Sequence, residues 1–477
     1  MTLARGIERT RVVDARGALE GNDLRRAAGT LAVSLAAAGL RAGGVIALAL
    51  DQARALLPAL AAAWDTGATV ILVPPALGQA ELRAVIAGLS PALIVTAEGD
   101  AARIAGATGS TARSLTVQGL PPLALIARPA GRQVADLAGA ALVKLSSGST
   151  GTPKAVVLTH ANVEAEAANV AAALGLGPGD RVVAPVPLTH SYGFDLAVLA
   201  VLASGATVEQ RPVLSPRRAL ADMADATVYL GVPAIYRVVA EAPVATPPEL
   251  GGARYLLSCT APLSADLIRT FASRFGAPIC QHYGSSETGA VANHQPDQVL
   301  VRPESVGRAI GGVSVRVADD TGELVVEGAA VAIGYALGGP TGATPLAAGA
   351  FRTGDLAEID ADGFIRIHGR RDSVINVGGL KVSPQEVSDA LERHPAVRQA
   401  AVVGVPDARG EQLVTAAVVL ARAVPDAELI AHCAGELAEH KIPRRIVVCD
   451  ALPVGPSGKV RLRPDDLVRI QTNQPLS

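Results

Sequence analysis

Nine consecutive residues, Ser146-Ser147-Gly148-Ser149-Thr150-Gly151-Thr152-Pro153-Lys154, set two glycines among hydroxyl side chains directly ahead of a lysine. Glycine lets backbone approach a ligand closely, and successive N–H groups with hydroxyls can surround phosphate oxygens, Lys154 adding a point charge. Apolar residues 140–143 come before the run and 156–158 after it, so it reads as a loop between two strands. A Walker A loop needs G-x-x-x-x-G-K-[ST]. Here Gly148 and Gly151 are three apart and Pro153 precedes the lysine, which disfavours a kinase or P-loop ATPase. A plain Ser/Gly turn is the competing reading, and the length and order of the run weigh against it.

Further candidates follow along the chain. Tyr283-Gly284-Ser285-Ser286-Glu287 offers an aromatic ring, hydroxyls and a carboxylate; magnesium prefers such hard oxygen ligands and shares them with substrate phosphates. Thr353-Gly354-Asp355 is a common turn sequence whose carboxylate can accept two hydroxyl hydrogen bonds. Gly369-Arg370-Arg371-Asp372, Gly378-Gly379-Leu380-Lys381 and Ser457-Gly458-Lys459 are each weak in isolation. Ser258-Cys259-Thr260-Ala261-Pro262 would equally suit a strand-to-helix turn. Pro187-Leu188-Thr189-His190-Ser191-Tyr192-Gly193-Phe194 ends on Asp195, a charge at the head of an apolar stretch. Such a charge needs a partner or a helix N-terminus.

These residues must be positioned by a scaffold. From about Asp23 the pattern alternates: helix over 24–40, strand over 45–50, helix over 53–64, then strands over 68–73 and 92–96. That alternation predicts an α/β fold with a mostly parallel sheet covered on both faces, ligands lying at the carboxyl ends of strands. After Arg370 the units shorten to a helix ending at 394, strands at 400–405 and 414–420, a helix over 427–440 and a strand at 445–448. We divide the chain into a large multi-subdomain α/β domain, 1–370, and a small mobile α+β domain, 371–477. Ser383, Pro384 and Glu386 predict a capping box at the first helix of the latter, and residues 340–350 a surface loop.

In this order the motifs resemble those of the acyl-adenylate-forming superfamily: acyl-CoA synthetases, luciferase-like enzymes and peptide-synthetase adenylation domains. The resemblance covers roughly 25–465 and is nearest to acyl-CoA synthetases. It implies that a carboxylic acid is joined to AMP with release of pyrophosphate and then passed to coenzyme A. Residues 146–151 and Lys154 would hold ATP phosphates. Tyr283 would stack on adenine against Thr260, Ala261 and Pro262, with Gly284, Ser285 and Ser286 contacting AMP and Glu287 holding Mg2+. Asp355 would accept the ribose hydroxyls, Arg370 would contact ribose or phosphate, and Asp372 would be the hinge. Gly378, Gly379, Leu380 and Lys381 would face the site in the thiol step, and Lys459 would bridge acid and phosphate in the first. His190 would sit beside the acyl carboxylate, with Tyr192, Phe194, Val232, His282 and Ser285 as pocket candidates. Ala155, Cys259, Thr260 and Ser286 depart from the usual pattern. Asp195 has two readings: helix N-terminal stabilisation, which we favour, or an amine-binding carboxylate as in amino-acid-activating domains.

Composition narrows the alternatives. The 477 residues carry a formal net charge of -2, and no basic field advertises nucleic acid. Cys259, Cys280, Cys433 and Cys449 form neither a disulfide framework nor a zinc pattern. Apolar runs stop well short of a membrane span, and charged residues break the first thirty positions, which predicts a cytoplasmic enzyme. Two rivals stay open: delivery of the acyl group to an acyl carrier protein's phosphopantetheine, and a non-catalytic nucleotide-binding member of the fold.

Overall fold

The computed structural model describes residues 2–128, 135–146, 153–213, 215–243, 248–339, 346–347, 349–377, 380–407, 412–454, 460 and 462–471. Two large sheets face one another. The eight-stranded sheet runs Gly334–Leu337, Lys154–Thr159, Ala140–Ser146, Thr69–Leu72, Val45–Ala49, Leu93–Ala97, Leu123–Ala127 and Ala112–Leu115. The nine-stranded sheet runs Arg308–Ala309, Gly289–Asn293, Ile279–Ser285, Tyr255–Ser258, Val228–Gly231, Arg181–Ala184, Thr207–Gln210, Arg11–Asp14 and Gly17–Leu19. Their middles are parallel, as the alternation of strand and helix requires, and antiparallel strands close their edges. A continuous apolar core joins the two. Helix Ala53–Asp65 is apolar on nearly every side and buried from Ala53 to Trp64, as such a helix must be, and its one buried cation, Arg54, is paired with Asp14. Its Trp64 donates to the Ala141 carbonyl at 3.1 Å.

The predicted elements at 45–50, 53–64, 68–73 and 92–96 appear as Val45–Ala49, Ala53–Asp65, Thr69–Leu72 and Leu93–Ala97. A five-stranded sheet over residues 313–370 follows. From Ile375 onward the chain has its own hairpin, Ile375–Val377 with Leu380–Val382, and a sheet of Val397–Pro406, Gln412–Leu420 and Arg445–Val448; hairpin and sheet share one apolar cluster, a second involves alternate residues of the sheet, and both are separate from the main core. The α/β architecture with a large N-terminal part and a smaller C-terminal one is thus realised. One local expectation is only half met. Ser383 Oγ accepts the Glu386 N–H at 3.4 Å, but the Glu386 carboxylate binds Lys441 Nζ at 2.6 and 2.8 Å. A charged partner outcompetes the backbone N–H that would complete the capping box. Of the predicted loop at 340–350, residues 340–345 and 348 lie outside the described residues.

Candidate active site

Strands Ala140–Ser146 and Lys154–Thr159 pair antiparallel, Ser146 opposite Lys154, which brings the two ends of the Ser/Gly run side by side. Ser147, Gly148, Ser149, Thr150 and Gly151 themselves lie outside the described residues, as do Gly378, Gly379, Lys459 and the side chain of Lys381. Lys154 is half-buried, its Nζ 6.0 Å from the centre of the Tyr335 ring. Tyr335 comes from the neighbouring strand Gly334–Leu337 and donates its hydroxyl to Glu287 Oε1 at 3.0 Å. Burial, and then the Glu287 charge, hold that phenol protonated far above the ordinary tyrosine range. Lys154, Tyr335 and the buried carboxylate of Glu287 therefore form one group. Glu287, with one oxygen engaged by a neutral hydroxyl, keeps anionic capacity for a hard cation, and the residues present fit magnesium shared with a substrate phosphate.

Beside it, Tyr283 from strand Ile279–Ser285 donates to Asp355 Oδ2 at 2.6 Å, although 72 residues separate them. Arg370 Nη1 reaches Asp355 Oδ1 at 3.3 Å and the Thr353 carbonyl at 2.7 Å. Gly354 has φ +74°, and a Cβ there would stand 3.0 Å from Arg370 Nη2. Both backbone sign and space call for glycine. Asp372 is exposed and pairs with Arg370 at 3.6 Å. Tyr283, Asp355 and Arg370, predicted from three separate motifs, thus meet in one place.

A wall beside the Tyr283–Glu287 turn is built from the helical stretch after His190, which holds the N-cap position of helix Ser191–Phe194. Asp51 Oδ1 accepts the N–H groups of Leu188 and Thr189, at 2.7 and 3.2 Å, and anchors that loop. Ser191 Oγ lies 2.7 Å from Ser286 Oγ, tying the wall to the Tyr283–Glu287 turn, while Ser285 is engaged with Thr288 in the same turn. Tyr192 and His282 are both buried with ring centres 5.8 Å apart. Burial pushes the His282 imidazole down to about 4, so it is neutral at pH 7 and serves as a hydrogen-bonding group. Phe194 is wholly buried, Val232 is half-buried at the N-cap of helix Pro233–Glu241, Ala261 is half-buried and Pro262 exposed. Thr260 has φ +76°, a glycine-like backbone on a β-branched residue, and its buried hydroxyl has no partner among the described residues.

The family models for the AMP-binding enzyme and for the AMP-binding enzyme C-terminal domain match residues 2–336 and 386–459. The chain belongs to the AMP-binding enzyme family. Within it, the chain is 36% identical to sulfoacetate–CoA ligase of Cupriavidus necator over 483 residues, covering 94% of this chain and 92% of that one. It is 31% identical to 2-succinylbenzoate–CoA ligase of Geobacillus kaustophilus, covering 96% and 94%. ATP-bound MatB from Rhodopseudomonas palustris superposes with a TM-score of 0.85 at 26% identity, covering 99% and 98%. This AMP-binding enzyme stands among acyl-CoA ligases, and none of its described helices is long and apolar enough to cross a membrane.

Three residues of this AMP-binding enzyme's site escape a motif reading. Tyr335 and Asp51 sit in stretches without a chemical signature. Lys144 donates to Asp195 Oδ1 at 2.5 Å, both side chains almost completely buried. Asp195 thus has its partner, and the stretch that it opens, Asp195–Leu199, is a π-helix, a form frequent at functional sites. The signal for Lys144 was available: a lone lysine inside the apolar run 140–145 cannot be buried unpaired.

Proposed function

We propose that this protein is an AMP-forming acyl-CoA synthetase acting on a small carboxylic acid. The observation that carries the adenylating half is the convergence of Tyr283, Asp355 and Arg370 beside Lys154, Tyr335 and Glu287. In that arrangement Tyr283 covers adenine, and Thr260 to Pro262 form the opposite wall. Asp355 accepts the ribose hydroxyls, and Arg370 steadies Asp355. Residues 146 to 151 and Lys154 hold the phosphates. Glu287, oriented by Tyr335, would hold Mg2+, which when bound offsets charge on the departing pyrophosphate.

An oxygen of the acid attacks the α-phosphorus in line, forming the acyl–O–P bond as the P–O bond to pyrophosphate breaks. Lys459 bridges acid and phosphate in this step. The thiolate of coenzyme A then attacks the acyl carbon, and AMP leaves. Between the steps the small domain, starting at 371, turns about Asp372, withdrawing Lys459 and bringing in the loop from Gly378 to Lys381. Separate apolar cores from Ile375 onward support that boundary. His190, Tyr192, His282 and Val232 line the acid side. The neutral Tyr192–His282 pair favours a small acid with hydrogen-bonding groups, and sulfoacetate is the first to try. Occupied by Lys144, Asp195 is not the amine ligand; an acid and its α-amino analogue tested side by side address this.

The test is acid-dependent pyrophosphate exchange, followed by thioester formation with coenzyme A and with a carrier protein's phosphopantetheine. AMP, not ADP, is the expected product. Lys459→Ala removes one preorganised charge, which costs roughly 10² to 10³ in rate. Near-normal exchange by that variant sinks the assignment, as does ATP binding without acid-dependent AMP release.

A further inference from the structure

Lys144, Asp195 and Glu166 contact no substrate in the roles given above, yet each is tied to a different part of the site. Lys144 lies two residues before Ser146 on the strand that enters the phosphate loop. Asp195 opens the π-helix that continues the acid wall from Tyr192 and Phe194. Glu166 stands in helix His160–Ala173, which follows the strand starting at Lys154. Its Oε1 accepts the Ala290 N–H at 2.8 Å, and its Oε2 has no hydrogen-bond partner among the described residues. Gly289, at φ +67°, comes so close that a Cβ would lie 2.0 Å from Glu166 Oε2. Ala290 and Gly289 directly follow the Tyr283–Glu287 turn, so Glu166 fixes the exit of that turn. Lys144, Asp195 and Glu166 are 2, 3 and 0% exposed.

We propose that Lys144, Asp195 and Glu166 are a buried positioning network that sets phosphate loop, acid wall and Glu287 turn in register for adenylation. The inference rests on the adenylation reading above. The argument is one of cost. A buried ion pair adds little stability over apolar residues of similar volume, because desolvation offsets the Coulomb gain. What an ammonium and a carboxylate at 2.5 Å supply is a fixed direction: the pair holds only if strand and π-helix keep one offset. Glu166 adds a second tie: its helix packs against that strand and that π-helix, and its carboxylate holds a third segment through a single backbone N–H. Its carboxyl is held up to about 8, by burial first and then by the Asp195 charge, so the cluster is close to neutral at pH 7. A misplacement of about 1 Å between reacting groups can cost on the order of 10²-fold in rate. The three segments carry Lys154, His190 and Glu287, whose mutual distances decide that placement.

The experiment compares wild type with Lys144→Met, Lys144→Met/Asp195→Leu, Glu166→Leu and Glu166→Gln. It reads kcat and both KM values in acid-dependent pyrophosphate exchange, with the thermal unfolding midpoint alongside. Lys144→Met leaves a bare buried carboxylate and lowers both midpoint and rate. The double variant recovers the midpoint yet keeps exchange down by about 10-fold or more, with KM raised for acid and ATP. Glu166→Leu raises KM for ATP, and Glu166→Gln, which keeps the acceptor, recovers it. A double variant with wild-type kcat and KM overturns the network, and so does an equal effect of Leu and Gln at 166. Should Lys144→Met not fold, the double variant decides. A wild-type chain without exchange overturns the adenylation reading and the network together, whereas an active wild type with an unaffected double variant overturns the network alone.

Discussion

Replacing Glu166 by Gln should change how stability depends on pH, with a sign fixed by the structure. Glu166 is wholly buried, and its carboxyl is raised from the ordinary 4.5 to about 8. Below 4.5 the carboxyl is protonated in folded and unfolded chains alike, and its contribution is fully present. Between 4.5 and about 8 the folded state holds a proton that the unfolded state has released, so stability falls as pH rises and levels off above 8. Each pH unit in that window is worth roughly 1.4 kcal/mol, so the window as a whole is on the order of 5 kcal/mol as an upper bound. His282 and His294 act in the opposite sense. Both are pushed down to about 4 by burial, so they add stability as pH rises from about 4 toward 6.5. The difference between wild type and Glu166→Gln removes those shared terms. Trp64 is the sole tryptophan, 3% exposed, and bonded to the strand that carries Lys144; its fluorescence reports unfolding of the large part of the chain. Urea midpoints from pH 5 to 9 should show wild type losing ground to the variant up to about pH 8 and running parallel beyond. Parallel curves throughout would refute the placement of a neutral Glu166 in this cluster.

Tyr335→Phe deletes the hydroxyl that holds Glu287. Partners of this kind are worth about 10- to 100-fold in metal affinity or activity, so the Mg2+ concentration for half-maximal exchange should rise; an unchanged Mg2+ dependence counts against the role. Gly354→Ala puts a Cβ 3.0 Å from Arg370 Nη2 at φ +74°, which should raise KM for ATP about tenfold with a strain cost of about 1 kcal/mol or more. Asp372→Pro should spare pyrophosphate exchange and depress thioester formation, and equal loss of both steps argues against a hinge there. Tyr283→Phe removes a hydrogen bond to a carboxylate, worth roughly 1.5–3 kcal/mol, and should weaken ATP binding while leaving KM for the acid near its original value.

The fold was readable where period and composition agreed. Residues 45–50 are a continuous apolar run of strand length and 53–64 an apolar run of helix length broken only by Arg54, and they form such elements because only those elements satisfy a buried backbone. The site was readable where chemistry leaves a signature in a loop, as at Tyr283–Glu287, Asp355 and Arg370. Tyr335 was not, because one tyrosine in the run 334–337 has no local mark; its role arises from pairing with the strand that starts at Lys154. Glu166 looked like any acidic residue on a helix beside Glu164, and only the approach of Gly289 sets it apart. Asp195 was half readable. Its need for a partner followed from its surroundings, but Lys144 lies 51 residues away, and no spacing rule links a strand to a π-helix. The Glu386 carboxylate turned from the capping box to Lys441 for the same reason: local sequence ranks local partners and is blind to a better one across the domain.

The proposed rotation must also break contacts that the chain now makes. Arg237, in helix Pro233–Glu241 of the large part, donates to the Arg398 carbonyl and pairs with Glu392 at 3.6 Å in the small part. Glu392 is mostly buried in this arrangement, and desolvation raises its carboxyl above the ordinary range, with Arg237 opposing that shift. Turning about Asp372 would re-expose the carboxylate and relieve its desolvation, which offsets part of the cost of losing Arg237. In a part-buried pair at 3.6 Å desolvation offsets much of the Coulomb attraction, so a contact of this kind can hold one orientation without trapping it. Two half-reactions at one site ask for that balance: strong enough to set where Lys459 or the 378–381 loop stands, weak enough to exchange them within a turnover.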